Sequence, residues 1–247
     1  MSNEFAGRLA VITGASSGIG LAVCARLLSQ GARVIAMSRK LGGLEELGRQ
    51  FPEHLSWVSG DVTKKEDLSR LAEHAARVGP VDFLVPNAGI AELADGLDID
   101  AFDRQWAVNG AGALNTLARL RNHLATPASV VFIGTFLAKV TFPGLAAYIA
   151  SKAALQAHAR TLAVELAPQG IRINMVSPGP TATPIWSTLG LRHDDLASVA
   201  SQVNKRLLDG QFLDAGAVAD IIIFQLSKGA RNVFGQDWIV DSGYTIR

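Results

Sequence analysis

Cysteine is almost absent from this sequence of 247 residues: Cys24 stands alone, so no internal disulfide can form and a reducing compartment is expected. The histidines His54, His74, His123, His158 and His193 are scattered, without paired spacing or a carboxylate partner that would make a ligand set, and give no metal-ligand pattern. Net charge is nearly absent too. Lys and Arg total 23 against 22 Asp and Glu, which leaves +1 and excludes the electrostatic footprint of a nucleic-acid binder or an acidic tail. No apolar run reaches the ~20 residues of a membrane-spanning helix, and the stretch Met1 to Gly7 lacks the basic-then-apolar order of an export signal. The expectation is a cytoplasmic protein with neither nucleic acid nor membrane as partner.

What is present in quantity is glycine, at 24 residues, and hydrophobic side chains, at 49%. That balance fits a parallel sheet buried on both faces. Short apolar runs alternate with amphipathic segments along the chain. Leu9 to Ile12, Val34 to Met37, Leu55 to Val58, Val81 to Val85, Ser129 to Ile133, Ile171 to Val176 and Asp237 to Val240 read as strands. Segments after Gly20, Lys65 to Val78, Phe102 to Leu120, Tyr148 to Leu166 and Ala217 to Leu226 read as helices. Seven strands alternating with helices predict an α/β fold, a doubly wound parallel sheet of Rossmann type with helices on both faces. No repeat or linker interrupts it, so residues 1–247 are expected to form one domain.

The first strand ends in Thr13-Gly14-Ala15-Ser16-Ser17-Gly18-Ile19-Gly20, a glycine-rich turn that delivers a helix N-terminus to the strand end. Backbone N–H groups and the positive helix end there favour a pyrophosphate. Other unusual turns, at Ser38-Arg39, Asp61-Val62, Asn87-Ala88-Gly89, Thr135 and Pro178-Gly179, also follow strands. The carboxyl ends of the strands form the ligand crevice of such sheets, so these loops should converge on one edge.

Tyr148 and Lys152 lie one helical turn apart and share a face. A surface phenol and a surface ammonium would explain the pair. So would chemistry, since a fixed cation favours the phenolate and a phenol that exchanges a proton near neutral pH needs such help.

In order along nearly the whole chain, Thr13-Gly14-x-x-x-Gly18-x-Gly20, Asp61-Val62, Asn87-Ala88-Gly89, Asn109, Tyr148-x-x-x-Lys152 and Pro178-Gly179 resemble the short-chain dehydrogenase/reductase family, classical type. The resemblance implies an NAD(P)-dependent oxidoreductase acting on CH–OH or C=O groups, with Tyr148 as the general acid/base. Lys152 would lower the pKa of Tyr148 and bind the nicotinamide ribose, and Asn109 would hold a water in a proton relay. The catalytic serine of the family falls on Thr135, which keeps the hydroxyl but adds a methyl that stiffens χ1. Pro86 replaces a more usual asparagine, and only a local adjustment is expected there.

By the same resemblance, Gly14, Ser16, Ser17, Gly18, Ile19, Gly20, Asp61, Val62, Asn87, Ala88, Gly89, Pro178, Gly179, Thr181 and Thr183 would bind the cofactor together with Tyr148 and Lys152. At the end of the second strand, Met37-Ser38-Arg39-Lys40 offers no carboxylate for ribose hydroxyls. Ser38 leaves room and Arg39 can pair with a 2′-phosphate, so NADP(H) is expected to be preferred over NAD(H), although both cations could simply face solvent.

A mobile substrate lid is expected around residues 183–213. Phe136, Leu137, Val140, Phe142, Ile185, Trp186 and Leu189 are the pocket candidates. Their apolar character points to a fairly apolar ketone or secondary alcohol, or equally to lid packing. Arg119 and Arg121 could meet an acyl carrier or merely favour a helix C-terminus. Leu114, Leu117, Leu155 and Leu162, on helices that pair across subunits in the family, imply a homotetramer or dimer. The four-residue step from Tyr148 to Lys152 argues against the enoyl-reductase branch. Two other readings stay open: a cofactor-binding relative with little turnover, and a biosynthetic member doing dehydration or aromatisation.

Overall fold

The computed structural model describes residues 4–247. Met1 to Asn3, part of the stretch inspected for an export signal, lie outside the described residues, as does the side chain of His193. All seven expected strands form: β1 (Leu9–Thr13), β2 (Arg33–Ser38), β3 (Leu55–Ser59), β4 (Val81–Pro86), β5 (Leu124–Ile133), β6 (Ile171–Pro178) and β7 (Asp237–Val240). They make a parallel sheet in the order β3-β2-β1-β4-β5-β6-β7. From β1 the chain winds outward to β3, then crosses back so that β4 pairs with β1 on the other side. That reversal between β1 and β4 opens the crevice at the carboxyl ends of the strands.

Strand residues alternate between two cores, as a period of two requires. Ala10, Ile12, Val34, Ala36, Val131 and Ile133 face one side of the sheet, and Leu9, Val11, Ile35, Met37, Val130 and Phe132 face the other. The first core is covered by α1 (Gly18–Ser29), α8 (Ala215–Leu226) and part of the segment between Pro184 and Leu207, the second by α3 (Lys65–Val78), α5 (Ala113–Leu120) and α6 (Ala146–Leu166). In α3 the residues Leu68, Leu71, Ala72 and Ala75 recur on one buried face, and Gly79 at φ 139° ends the helix. Two helices add to the expected set: α2 (Leu44–Gln50) and α7 (His193–Arg206). The described residues contain no helix long and apolar enough to cross a membrane.

The helix expected from Phe102 to Leu120 is interrupted. It begins as α4 (Ile99–Trp106), capped by the Asp98 carboxylate accepting from the N–H of Ala101 at 2.9 Å, passes through a π-helical segment Ala107–Gly112, and resumes as α5. Asn109 sits in that segment with 0% exposure.

Two leucines named for subunit pairing have another place. Leu117 and Leu155 are buried in the second core, whereas Leu114 and Leu162 are half-buried against it. Leucine at these steps serves the monomer first, because the same helix face that the period exposes is the one laid on the sheet. Pro86 ends β4 beside Thr13, beyond the last β4–β5 partner pair, Leu84 with Val130, so the missing N–H interrupts no pairing with β5.

Candidate active site

The unusual turns do converge. One cleft of about 830 Å³ is lined by residues of all six, from Gly14 and Ser38 through Asp61 and Asn87 to Thr135 and Pro178. Tyr148 and Lys152 line it as well. Of the residues assigned to the site from sequence, Gly20 and Asn109 are the two that do not face the cleft. Gly20 packs the turn, since a Cβ there would meet the Asn87 amide and the carbonyl of Gly14. Asn109 acts from behind. Among the pocket candidates Val140 lies in core packing, while Phe136, Leu137, Phe142, Ile185, Trp186 and Leu189 line the cleft.

The Tyr148–Lys152 end of the cleft is built on the start of α6 and the end of β5. Tyr148 is 9% exposed and Lys152 4%. Burial pushes the Tyr148 phenol above its ordinary value, and the Thr135 hydroxyl, hydrogen-bonded to it, pulls it partway back. Burial lowers Lys152 to about 8. Its ammonium donates to the carbonyl of Ile133 at 2.8 Å. The expected lowering of the phenol by Lys152 does not figure in this shift, whose causes are burial and Thr135, and the Lys152 ammonium is directed to the end of β5. Thr135 occupies the first position before a short 3-10 turn and accepts from the N–H of Leu137 at 3.3 Å, which fixes its hydroxyl toward the site.

Behind these residues three side chains brace one strip of backbone. Asn109 donates to the carbonyl of Ile90 at 3.0 Å and accepts from its N–H at 2.9 Å. Gln105 does the same for Glu92, at 3.3 and 3.0 Å. Between them Thr188 donates to the carbonyl of Ala91 at 2.7 Å and accepts from its N–H at 3.2 Å. Asn109 also donates to Ser151, whose hydroxyl donates to the Tyr148 carbonyl at 2.7 Å. Sequence reasoning missed Gln105, Ser151 and Thr188. Each is an ordinary helix or loop residue whose partner is remote in sequence, so no local signal marks it.

The other end of the cleft is polar and cationic. Ser17 precedes α1 without a side-chain cap bond, and the first turn of α1 carries no acidic residue. Its N–H donors therefore face the cleft with no competing carboxylate, the chemistry a pyrophosphate needs. Asn87 ties the turn to β4 by donating to the carbonyls of Thr13 and Gly14 at 3.0 and 3.1 Å. Asp61 accepts from the N–H and hydroxyl of Thr63 at 2.9 and 2.8 Å. The Ser38 hydroxyl donates to the Lys40 carbonyl at 2.7 Å and accepts from the Trp57 indole at 3.0 Å, and the exposed side chains of Arg39 and Lys40 border the cleft. This donor set fits a dinucleotide, whose phosphates the N–H groups of α1 would hold and whose ribose end Arg39 and Lys40 would hold.

The segment around 183–213 closes the cleft from above. Its Pro184–Leu189 turn carries Trp186, which packs on Phe212 with centroids 4.8 Å apart and donates to the Thr181 carbonyl at 2.8 Å. The Thr181 hydroxyl is itself bonded to the carbonyl of Gly179 at 2.9 Å. Arg121, just before β5 begins, by contrast donates to Gln169, just before β6, at the sheet end away from the cleft.

A protein family described as enoyl-(acyl carrier protein) reductase matches residues 14–245. Carbonyl reductase [NADPH] 2 of Sus scrofa is 32% identical over 249 residues, covering 99% of both chains. The 2-(R)-hydroxypropyl-CoM dehydrogenase of Xanthobacter autotrophicus is 34% identical over 252 residues, covering 96% of this chain and 98% of the other. Among solved structures, a glucose/ribitol-type short-chain dehydrogenase/reductase from Brucella melitensis superposes with TM-score 0.89 at 28% identity, covering 99% of both chains.

Proposed function

The chain belongs to the short-chain dehydrogenase/reductase family and is an oxidoreductase acting on CH–OH or C=O groups, and from that premise we propose an NADPH-preferring carbonyl reductase that uses Tyr148 as its general acid. The observation that carries this reading is the buried Thr135–Tyr148 hydrogen bond one helical turn from Lys152. A phenol held above its ordinary pKa keeps its proton at neutral pH, the state needed to protonate a carbonyl oxygen. When bound, the nicotinamide supplies the hydride to the carbonyl carbon. The Thr135 hydroxyl holds the substrate oxygen, and Tyr148 transfers the phenolic proton to it. Lys152, fixed by its bond to the Ile133 carbonyl, would hold the nicotinamide ribose. Asn109 and Ser151 position the first turns of α6.

NADP(H) preference rests on Arg39 and Lys40 at the cleft and on the commitment of Ser38 to Lys40 and Trp57, which keeps the 38–40 turn in place. NAD(H) is the second cofactor tested. The substrate is a small, fairly apolar ketone or secondary alcohol, since Phe136, Leu137, Phe142, Ile185 and Leu189 border the catalytic end. Residues 183–213 act as the mobile lid, latched by Thr188 on Ala91. The family match carries an enoyl-reductase description, but the four-residue Tyr148–Lys152 step favours carbonyl over alkene reduction.

A dimer or tetramer, joined through α4–α5 and α6, rests on the half-buried Leu114 and Leu162 and on Val164, 76% exposed on α6. Light scattering giving a monomer at micromolar concentration would remove that element.

The test of the whole reading is titration of the tryptophan fluorescence with NADPH and then NADH, followed by a ketone panel with product mass. Tighter NADPH binding and a gain of two hydrogens are expected. Binding of NADPH without turnover on any carbonyl would favour a non-catalytic relative, and loss of water from a hydroxylated substrate would favour a dehydratase.

A further inference from the structure

We propose that Tyr244 is a specificity-determining residue, whose phenol binds a second hydrogen-bonding group on the substrate, remote from the reacting carbonyl. This rests on the reductase reading above. Tyr244 arrives from the short 3-10 turn Tyr244–Ile246, far in sequence from the catalytic residues, and lines the cleft at 7% exposure. Its ring stands edge-on to Phe136, with centroids 5.0 Å apart, and Phe136 follows Thr135 directly. The Arg206 guanidinium, at the end of α7, lies 4.6 Å above the ring and donates to the Tyr244 carbonyl at 3.1 Å. The ring is thus held from two sides and cannot swing freely.

Its hydroxyl is another matter. Buried tyrosine hydroxyls normally find a partner, yet among the described residues the Tyr244 hydroxyl has none. Nor is it sealed: the enclosed polar atoms without a partner belong to Arg172, Asn204 and Gln225. The neighbouring polar groups are occupied. Trp186 donates to Thr181 and Ser187 to Pro184, and the Thr188 hydroxyl lies 2.7 Å from both the Ala91 and the Ile185 carbonyl. Thr135 serves Leu137 and Tyr148. Toward the lid, Tyr244 therefore offers the uncommitted polar tip in a wall otherwise made of groups such as Phe136, Leu189 and Val203. A ketone with a hydroxyl or second carbonyl would pair with it. A plain hydrocarbon ketone would leave it unpaired at a cost in affinity.

The experiment compares 3- and 4-hydroxycyclohexanone with cyclohexanone in the native protein and in Tyr244→Phe, which keeps the ring and its Phe136 contact. Two readouts are taken: kcat/KM with NADPH, and the dissociation constant from tryptophan fluorescence in the presence of NADP+. The expected result is that at least one hydroxyketone binds more tightly than cyclohexanone to the native protein. Tyr244→Phe should then remove that advantage, lowering its kcat/KM by about 10- to 100-fold, mainly through KM, while cyclohexanone binds no more weakly than to the native protein. Equal loss on all three ketones would make Tyr244 a packing residue, and no loss, or no native preference in binding, would overturn the proposal. If no ketone is turned over, the reductase reading fails, while the binding comparison still decides the role of Tyr244.

Discussion

The hydroxyl of Thr135 bonds the phenol of Tyr148 and accepts from the N–H of Leu137, so a residue on the loop after β5 sets the orientation of the phenol on α6. The added methyl of threonine is compatible with this, because the hydroxyl rather than the side-chain volume makes both contacts. Thr135→Ala is expected to lose about 10²–10³ in kcat, comparable to one oxyanion-type donor. Thr135→Ser should stay near native turnover. Steady-state kinetics of both variants decide the point: equal loss would show that shape and not the hydroxyl matters.

Burial raises the Tyr148 pKa above its ordinary 10.0, which gives the two directions opposite pH profiles. Reduction needs the protonated phenol, present below the pKa, and should be flat from about pH 6 to 8. Oxidation of the alcohol needs the phenolate and should climb throughout that range. A reduction rate that falls between those values would place the proton elsewhere.

Lys152 carries the reverse sign. Its folded-state pKa of about 8 lies below the ordinary 10.5, so between these values the unfolded chain binds the extra proton and the contribution of this group to stability rises with pH. Below about 8 the folded protein bears the full cost of the buried cation. Urea unfolding of the cofactor-free protein should find Lys152→Met more stable than native at neutral pH, by at most roughly 3 kcal/mol from the size of the shift. The gap should narrow as the pH approaches 10. A gap independent of pH would mean the lysine titrates normally.

Arg39→Ala should weaken NADPH binding about 10- to 100-fold, the loss of one charge-assisted contact, with NADH unaffected. Trp57→Phe, which frees the Ser38 hydroxyl from its indole donor, should reduce the same discrimination less. Fluorescence titration of both cofactors measures each. Equal weakening of NADPH and NADH in Arg39→Ala would remove the 2′-phosphate assignment.

The sequence announces most of the sheet because its strands are buried on both faces and so read as unbroken apolar runs. The helix α3 is legible to its ends, since its period is clear and Gly79 stops it. Gly14, Asn87, Tyr148 and Lys152 are legible because residue type and spacing alone define them. The braces are not. Gln105, Ser151 and Thr188 find their partners through tertiary contact, and the commitment of Ser38 to Trp57 spans 19 residues across two strands. The raised phenol pKa was also out of reach, because desolvation depends on what the fold places around Tyr148.

The π-helical segment between α4 and α5 sets the angular phase of everything upstream of it. A regular α-helix advances about 100° per residue, so deleting one residue within 107–112 would rotate Gln105 by that angle relative to α5. Gly110 leaves no alternative packing, because a side chain there would run into the Trp106 ring. Gln105 and Asn109 could not then both reach the backbone at Glu92 and Ile90, and the peptide that receives Thr188 would lose its two flanking anchors. Single-residue deletions in this segment should therefore behave like active-site lesions.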